Sequence, residues 1–208
     1  KILMKYKLVI IDVDGVLINY ELNKQKSWNN TAQKFKLKKK FSDYKKNVGL
    51  PFQKILKNLK IIKYRKSIEV FYKKQTIKNI NYIKKYIGIK DLIKIFLEKK
   101  VKLAIVTSKD KLRTKKILKK LNIRIKNIFS PKNIYEGKPN PFLINEAIKL
   151  NRVKKYETCY IGDTYFDYLT AKRAKIDFIF HSGGFGKKRK EYKFYYSKVN
   201  DLIKLFNF

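Results

Sequence analysis

The sequence predicts an α/β protein, a parallel sheet with a block of helices inserted into it. Three observations predict it. Short β-branched runs end in polar residues or glycine, amphipathic stretches alternate with those runs, and one long segment breaks the alternation. Taking the strands in order, residues 6–13 form an apolar, β-branched run closed by Asp and Gly, as suits a strand buried on both faces. Residues 101–106 (V-K-L-A-I-V) predict a second strand, ending in Thr107 and Ser108. Residues 159–161 predict a third, ending in Gly162 and Asp163, and residues 178–180 a fourth, ending in H-S-G-G. A short fifth strand is expected at residues 125–129.

Helices are expected between them. Residues 111–121 carry Leu112, Ile117, Leu118 and Leu121 on one stripe. Residues 141–150 carry Phe142, Leu143, Ala147 and Leu150 behind prolines that suit a helix start. Residues 166–174 form a shorter helix. The exception is residues 19–87, where no buried strand is visible. Phe52, Ile55, Leu56, Leu59 and then Ile68, Phe71, Tyr72 recur there at helical spacing, and Gly49-Leu50-Pro51 marks a turn. The expected organisation is therefore a core of residues 1–18 and 88–208 and a helical domain of residues 19–87. Residues 185–193 (F-G-K-K-R-K-E-Y-K) read as a solvated basic loop.

Composition narrows the class. At 208 residues and 44% hydrophobic, the chain can bury a sizeable core despite its charge. No apolar run approaches the length of a membrane span. The opening K-I-L-M-K-Y-K is too short for a signal peptide, and Met4 reads as the native start. The single cysteine, Cys159, excludes an internal disulfide and suits a reducing cytoplasm. Cys159 and the single histidine, His181, read as structural.

The net charge of +37 would suit a nucleic-acid or anionic-surface binder. However, only six of the 53 basic residues are arginine, and the lysines are scattered along the chain. Lys, Ile, Asn, Tyr and Phe, all with A/T-rich codons, are used together, so the charge reads as coding bias. Nucleic-acid binding is expected to be non-specific at most.

The chemistry gathers at the strand ends, where parallel α/β sheets bind ligands. Those ends carry Asp12, Asp14, Thr107, Ser108 and Asp163, with Lys138 in G-K-P-N-P nearby. Carboxylates closing an oily strand need a counter-charge. A hard cation with oxygen ligands, Mg²⁺, supplies one, and hydroxyls with a lysine suit phosphate oxygens. A carboxylate can then attack phosphorus, and a second acid two residues along can serve the leaving oxygen.

Four motifs in this order, D-V-D-G-V (residues 12–16), T-S (107–108), G-K-P-N-P (137–141) and G-D-T-Y-F-D (162–167), resemble the haloacid dehalogenase superfamily, in its phosphoglycolate-phosphatase-like branch. The resemblance covers nearly the whole chain. It implies a Rossmann-like core with residues 19–87 as a helical C1-type cap, whose V-G-L-P-F would face substrate. It implies Asp12 as nucleophile and Asp14 as general acid/base, the latter favouring phosphate over dehalogenase chemistry. It implies Mg²⁺ held by Asp12, Asp14, Asp163 and the Val13 carbonyl, phosphate bound by Thr107, Ser108 and Lys138, and support from Gly15 and Asp167. Val16 and Asn19 stand where the family often has Thr and Asp. The function implied is a cytoplasmic Mg²⁺-dependent phosphatase of a small phosphorylated metabolite, a phosphomonoester that is phosphoglycolate-like or a sugar phosphate, acting through an aspartyl-phosphate, monomeric or homodimeric. A phosphosugar mutase and a polyanion-binding protein on the same fold are the alternatives.

Overall fold

A computed structural model of the chain describes residues 6–206, so the reading of Met4 falls outside the described residues. Its centre is a six-stranded parallel sheet. The strands are β1 (Leu8–Ile11), β4 (Lys102–Val106), β5 (Asn127–Phe129), β6 (Thr158–Gly162), β7 (Asp177–His181) and β8 (Phe194–Tyr196), in the order β5-β4-β1-β6-β7-β8. Along β1 the side chains alternate between two buried layers. Val9 and Ile11 join a layer with Leu92, Phe96, Ile117 and Leu202, while Leu8 and Ile10 join one with Ile144, Ala147, Ala171 and Ala174. The first layer is supplied by helices α5 (Ile89–Glu98), α6 (Lys111–Lys120) and α9 (Val199–Phe206), the second by α7 (Phe142–Asn151) and α8 (Tyr165–Ala174).

β1 lies between β4 and β6 in matched register, Ile11 opposite Ile105 and Ile161. That register brings Asp12, Thr107 and Asp163 to one edge of the sheet. β1 stops four residues after it starts because the chain turns at once: the N–H groups of Leu17 and Ile18 bond back to the Val13 carbonyl at 3.0 and 3.1 Å.

The helical segment is present as α1 (Glu21–Lys34), α2 (Phe41–Lys45), α3 (Phe52–Asn58) and α4 (Arg65–Lys78). A two-stranded antiparallel ribbon, β2 (Ile18–Asn19) with β3 (Lys84–Lys85), ties its two ends together. The insert has its own aromatic core. Trp28 is fully buried, stacks on Tyr44 at 4.7 Å and donates its indole N–H to the Lys39 carbonyl at 3.1 Å.

Several details depart from the sequence reading. Leu112 (83% exposed) and Leu150 (64%) point away from the core; Thr114 on α6 and Ile144 and Ile148 on α7 hold the buried positions. The basic loop is solvated only in its middle. Tyr192 is buried against Phe180, and Phe185 packs on the insert's core. The sequence reading leaves residues 89–98 and 194–206 unassigned, and the structure makes them α5, β8 and α9.

Candidate active site

Asp12 leaves β1 with its N–H bonded to the Ile161 carbonyl at 2.9 Å, so its side chain enters beside β6. One carboxylate oxygen from each of Asp12, Asp163 and Asp167 lies within 4.8 Å of the other two. Lys138 is fully buried among them, its Nζ 3.0 Å from Asp12 Oδ2 and 2.6 Å from Asp167 Oδ1.

Asp167 is placed by a capping box. In T-Y-F-D, Thr164 caps α8 and the Asp167 carboxylate accepts from the Thr164 N–H at 2.9 Å and its hydroxyl at 2.6 Å. The Tyr160 hydroxyl adds a bond to Asp167 Oδ1 at 2.8 Å. Both Asp167 oxygens are thus taken, and the residue positions Lys138. Open acceptors lie elsewhere: Oδ1 of Asp12, of Asp14 and of Asp163 are all buried without a hydrogen-bond donor. Burial raises the Asp163 carboxyl well above the usual carboxylate range, and Asp167 and Asp12 push the same way. Burial also lifts Asp12, to about 6, against the pull of Lys138. A divalent cation satisfies such oxygens, so Asp12 and Asp163 fit a hard metal ion.

The Val13 carbonyl does not fit that set, contrary to what the resemblance implies. It already accepts from the N–H groups of Val16, Leu17 and Ile18, which use up its lone pairs. Gly15 does support the site. At φ +81°, a side-chain carbon there would lie 2.0 Å from Asp163 Oδ2, so only glycine lets the turn close on that carboxylate. The Gly15 carbonyl accepts from His181 Nδ1 at 2.5 Å, a structural use of the histidine. Cys159 is a buried strand residue.

Asp14 lines the same cavity but is not one of the three clustered carboxylates. Its Oδ2 pairs with Lys24 at 2.9 Å and Lys109 at 3.1 Å. Burial opposes its ionisation, but Lys109 and Lys24 outweigh burial and hold its carboxyl well below the usual range. Burial pushes the Lys109 ammonium down to about 7; Asp14 resists the shift, and Arg113 and Lys24 add to it. The ammonium also sits 3.7 Å from the centre of the Tyr20 ring.

These groups line one cavity of about 50 Å³, room for a few waters or one small polar group. Its floor is Asp12, Thr107, Lys138 and Asp163, and its roof is the V-G-L-P-F loop with residues of α3 and α4. Ser108 joins the two, its hydroxyl donating to the Gly49 carbonyl at 2.6 Å. Thr107 is buried on the floor and its Oγ1 accepts from the Lys109 N–H at 3.3 Å. The structure therefore brings together every side chain the motifs single out, and adds Lys24, Lys109 and Arg113. Lys109 directly follows T-S, the one signal that could have found it.

A parallel sheet with acidic strand ends under a helical roof defines an α/β enzyme with a closed polar site. Comparison with known proteins agrees. The family model described as "Haloacid dehalogenase-like hydrolase" matches residues 9–181, and the chain belongs to that family. It is 26% identical to a phosphoglycolate phosphatase of Aquifex aeolicus over 204 residues, covering 96% of each chain. It is 27% identical to the pyrophosphatase PpaX of Halalkalibacterium halodurans, covering 83% of this chain and 82% of that one. A solved haloacid dehalogenase-like hydrolase from Streptococcus pneumoniae shares the fold with a TM-score of 0.84, at 19% identity, covering 97% of this chain and 99% of that one. No helix among the described residues is long and apolar enough to cross a membrane.

Proposed function

We propose that the protein is a Mg²⁺-dependent phosphatase that hydrolyses a small phosphomonoester through an aspartyl-phosphate on Asp12, with residues 19–87 as the cap domain over the site. The observation that carries this reading is the Asp12 carboxylate: buried, with Oδ1 free and Oδ2 held by Lys138, and with a second carboxylate two residues on. The phosphatase names of the curated relatives support it.

In this reading Lys138 and Thr107 hold the phosphoryl oxygens, and Ser108 joins that floor to the Gly49 carbonyl above it. Asp12 Oδ1 attacks phosphorus in line, and the bond to the leaving oxygen breaks as the new one forms. Asp14 gives a proton to the leaving oxygen and later takes one from the water that cleaves the acyl-phosphate. Asp14 cannot hold that proton while both lysines pair with it, so substrate must first draw Lys24 and Lys109 away. Asp12 and Asp163 would hold Mg²⁺, with Asp14 beside them. When bound, the ion offsets the charge that builds on the phosphoryl oxygens. Closure of the insert keeps bulk water from the acyl-phosphate.

The test is phosphate release from a panel of esters, first with Mg²⁺ and then with EDTA. Release that EDTA stops and Mg²⁺ restores is the expected result. Little release until a phosphorylated activator is added would instead favour a phosphosugar mutase. Tight nucleic-acid binding at physiological salt with no turnover would favour the polyanion binder.

A further inference from the structure

We propose that Tyr160 is a positioning residue for the reaction: its hydroxyl fixes how Asp167 presents itself to Lys138, and so sets how Lys138 divides between Asp167 and the phosphoryl group. This rests on the phosphatase reading above and adds to it a residue that touches no substrate.

Tyr160 lies on β6 ahead of Asp163 and is fully buried. Its side chain belongs to the layer that holds Leu8, Ile10, Ile144, Ala147 and Phe180. A phenol among such neighbours is costly unless its oxygen finds a partner, and phenylalanine would fill the same space without that cost. Two acceptors lie within reach of the hydroxyl: Asp167 Oδ1 at 2.8 Å and the Val106 carbonyl at 3.2 Å. A hydroxyl has one hydrogen to give, and the nearer, ionised carboxylate takes it. Burial opposes the ionisation of Asp167, but Lys138, Thr164 and Tyr160 together hold its carboxyl below the usual range.

The capping box pins only Oδ2 of Asp167, through the Thr164 N–H and hydroxyl. The carboxylate could still turn about that oxygen. Tyr160 fixes the other one: Oδ1 accepts from the hydroxyl and meets Lys138 Nζ at 2.6 Å. Two donors on one oxygen share its charge, so the hydroxyl weakens the grip of Oδ1 on the ammonium. Lys138 also reaches Asp12 Oδ2 at 3.0 Å, and its ammonium lies 5.4 Å from the centre of the Tyr160 ring. Tyr160 therefore meets both members of the Lys138–Asp167 pair. Without the hydroxyl, Oδ1 would hold Lys138 undivided and draw it from Asp12, where the phosphoryl group arrives. Tyr192 supplies the contrast. It is buried in the same layer, and its hydroxyl has no hydrogen-bond partner among the described residues.

The experiment measures kcat and KM for the best ester of the panel, together with the inhibition constant of inorganic phosphate. Wild type, Tyr160→Phe, Tyr192→Phe, Asp167→Asn and the double variant Tyr160→Phe/Asp167→Asn are compared, with thermal melting to show that each folds. Tyr160→Phe should lower kcat/KM about 10-fold, the worth of one hydrogen bond to a charged group. Most of the loss should fall in KM, and the inhibition constant of inorganic phosphate should rise by the same factor, because Lys138 holds phosphoryl oxygens in substrate and product alike. Tyr192→Phe should leave all three constants unchanged. In the Asp167→Asn background, Tyr160→Phe should cost less than about 2-fold more, since the carboxylate it acts through is gone. Unchanged kinetics in Tyr160→Phe would overturn the proposal and leave the phosphatase reading standing. So would a fall in kcat alone, an equal loss in Tyr192→Phe, or the same loss in both backgrounds. If wild type releases phosphate from no ester, the phosphatase reading fails, and calorimetry with inorganic phosphate decides the role of Tyr160. Affinity lost in Tyr160→Phe and kept in Tyr192→Phe supports it; equal affinities, or no binding to wild type, overturn it. Should Tyr160→Phe not fold, 3-fluorotyrosine at position 160, a stronger donor of nearly the same shape, should tighten inorganic phosphate by about 2-fold, and unchanged binding would overturn the proposal.

Discussion

The floor and the roof of the cavity use the same kinds of charged residue and hold them in different ways. Three floor groups, Asp12, Thr107 and Asp163, directly follow strands paired in register, and the carboxylates of the floor are fixed by backbone geometry. Asp12 is tied through its N–H, Asp163 Oδ2 accepts from the Phe185 N–H at 2.6 Å, and Asp167 is locked in its capping box. Roof groups are the ends of long side chains, Lys24 and Arg113 carried on helices and Lys109 on the turn after β4. The insert that bears Lys24 has its own small core and meets the sheet domain through side-chain and loop contacts. They include the Ser108–Gly49 hydrogen bond, Pro51 against Gly137, and Phe166 and Phe185. A rigid floor suits bond making, where a small displacement is expensive. The insert, with its own core, can lift and return, taking Lys24 with it while Lys109 and Arg113 stay with the sheet domain.

Asp12→Asn should break the floor most completely. Turnover of every ester should fall by at least about 10³-fold, because the attacking oxygen is gone. The variant should still melt cooperatively within a few degrees of wild type, as read by circular dichroism. Equal losses from Asp12→Asn and from Lys24→Gln across the panel would erase the distinction between floor and roof. Gly15→Ala should come next. The added carbon collides with Asp163 and must hold a left-handed backbone, a combined cost on the order of 3–4 kcal/mol in chemical denaturation. A loss under about 1 kcal/mol would show that the turn has room to move.

The same contrast explains what could be read from the sequence. Floor residues announce themselves because a carboxylate at the end of an oily strand is costly and therefore informative. Asp12, Asp14, Thr107 and Asp163 are each visible at a strand end, and five of the six sheet strands with three of their helices follow from the pattern of the sequence. Roof residues are hidden by composition. Among so many lysines, neither Lys24 nor Lys109 carries a signal of its own, and only packing reveals that each is buried. Arg113 was hidden for another reason: on α6 it precedes the buried Thr114, and the apparent stripe ran through Leu112 instead. β8 was missed because its three residues, F-Y-Y, are too short to show alternation. Nothing in D-V-D-G-V signals the turn that occupies the Val13 carbonyl, which is why the resemblance alone places it on a metal.

Lys109 offers a measurement of intermediate size. Its ammonium falls to about 7 in the folded protein from 10.5 unfolded, chiefly through burial. Between those values the native state holds fewer protons than the unfolded one, so stability rises with pH across that window and levels off above it. The gain should be about 2 kcal/mol from pH 7 to pH 9 in urea titrations without ligand. Lys109→Met should lose that increment while keeping any background dependence of this highly charged chain. Identical slopes in wild type and variant would show that the ammonium keeps its proton in the roof.

The smallest effect falls on Ser108, the residue at the boundary. Its hydroxyl proton goes to the Gly49 carbonyl, so it joins the T-S of the floor to the V-G-L-P-F loop of the roof. If that bond holds the insert closed, Ser108→Ala removes about 1 kcal/mol of closure, the worth of one partly buried hydrogen bond. kcat/KM should then fall about 5-fold, by the same factor for every ester of the panel, because closure precedes any contact with the leaving group. A loss beyond about 100-fold would instead make the hydroxyl a direct phosphate ligand and move Ser108 wholly to the floor. A loss confined to some esters of the panel would place it against the leaving group, in the roof. Steady-state kinetics across the panel separate the three outcomes, and so measure where the rigid part of the site ends.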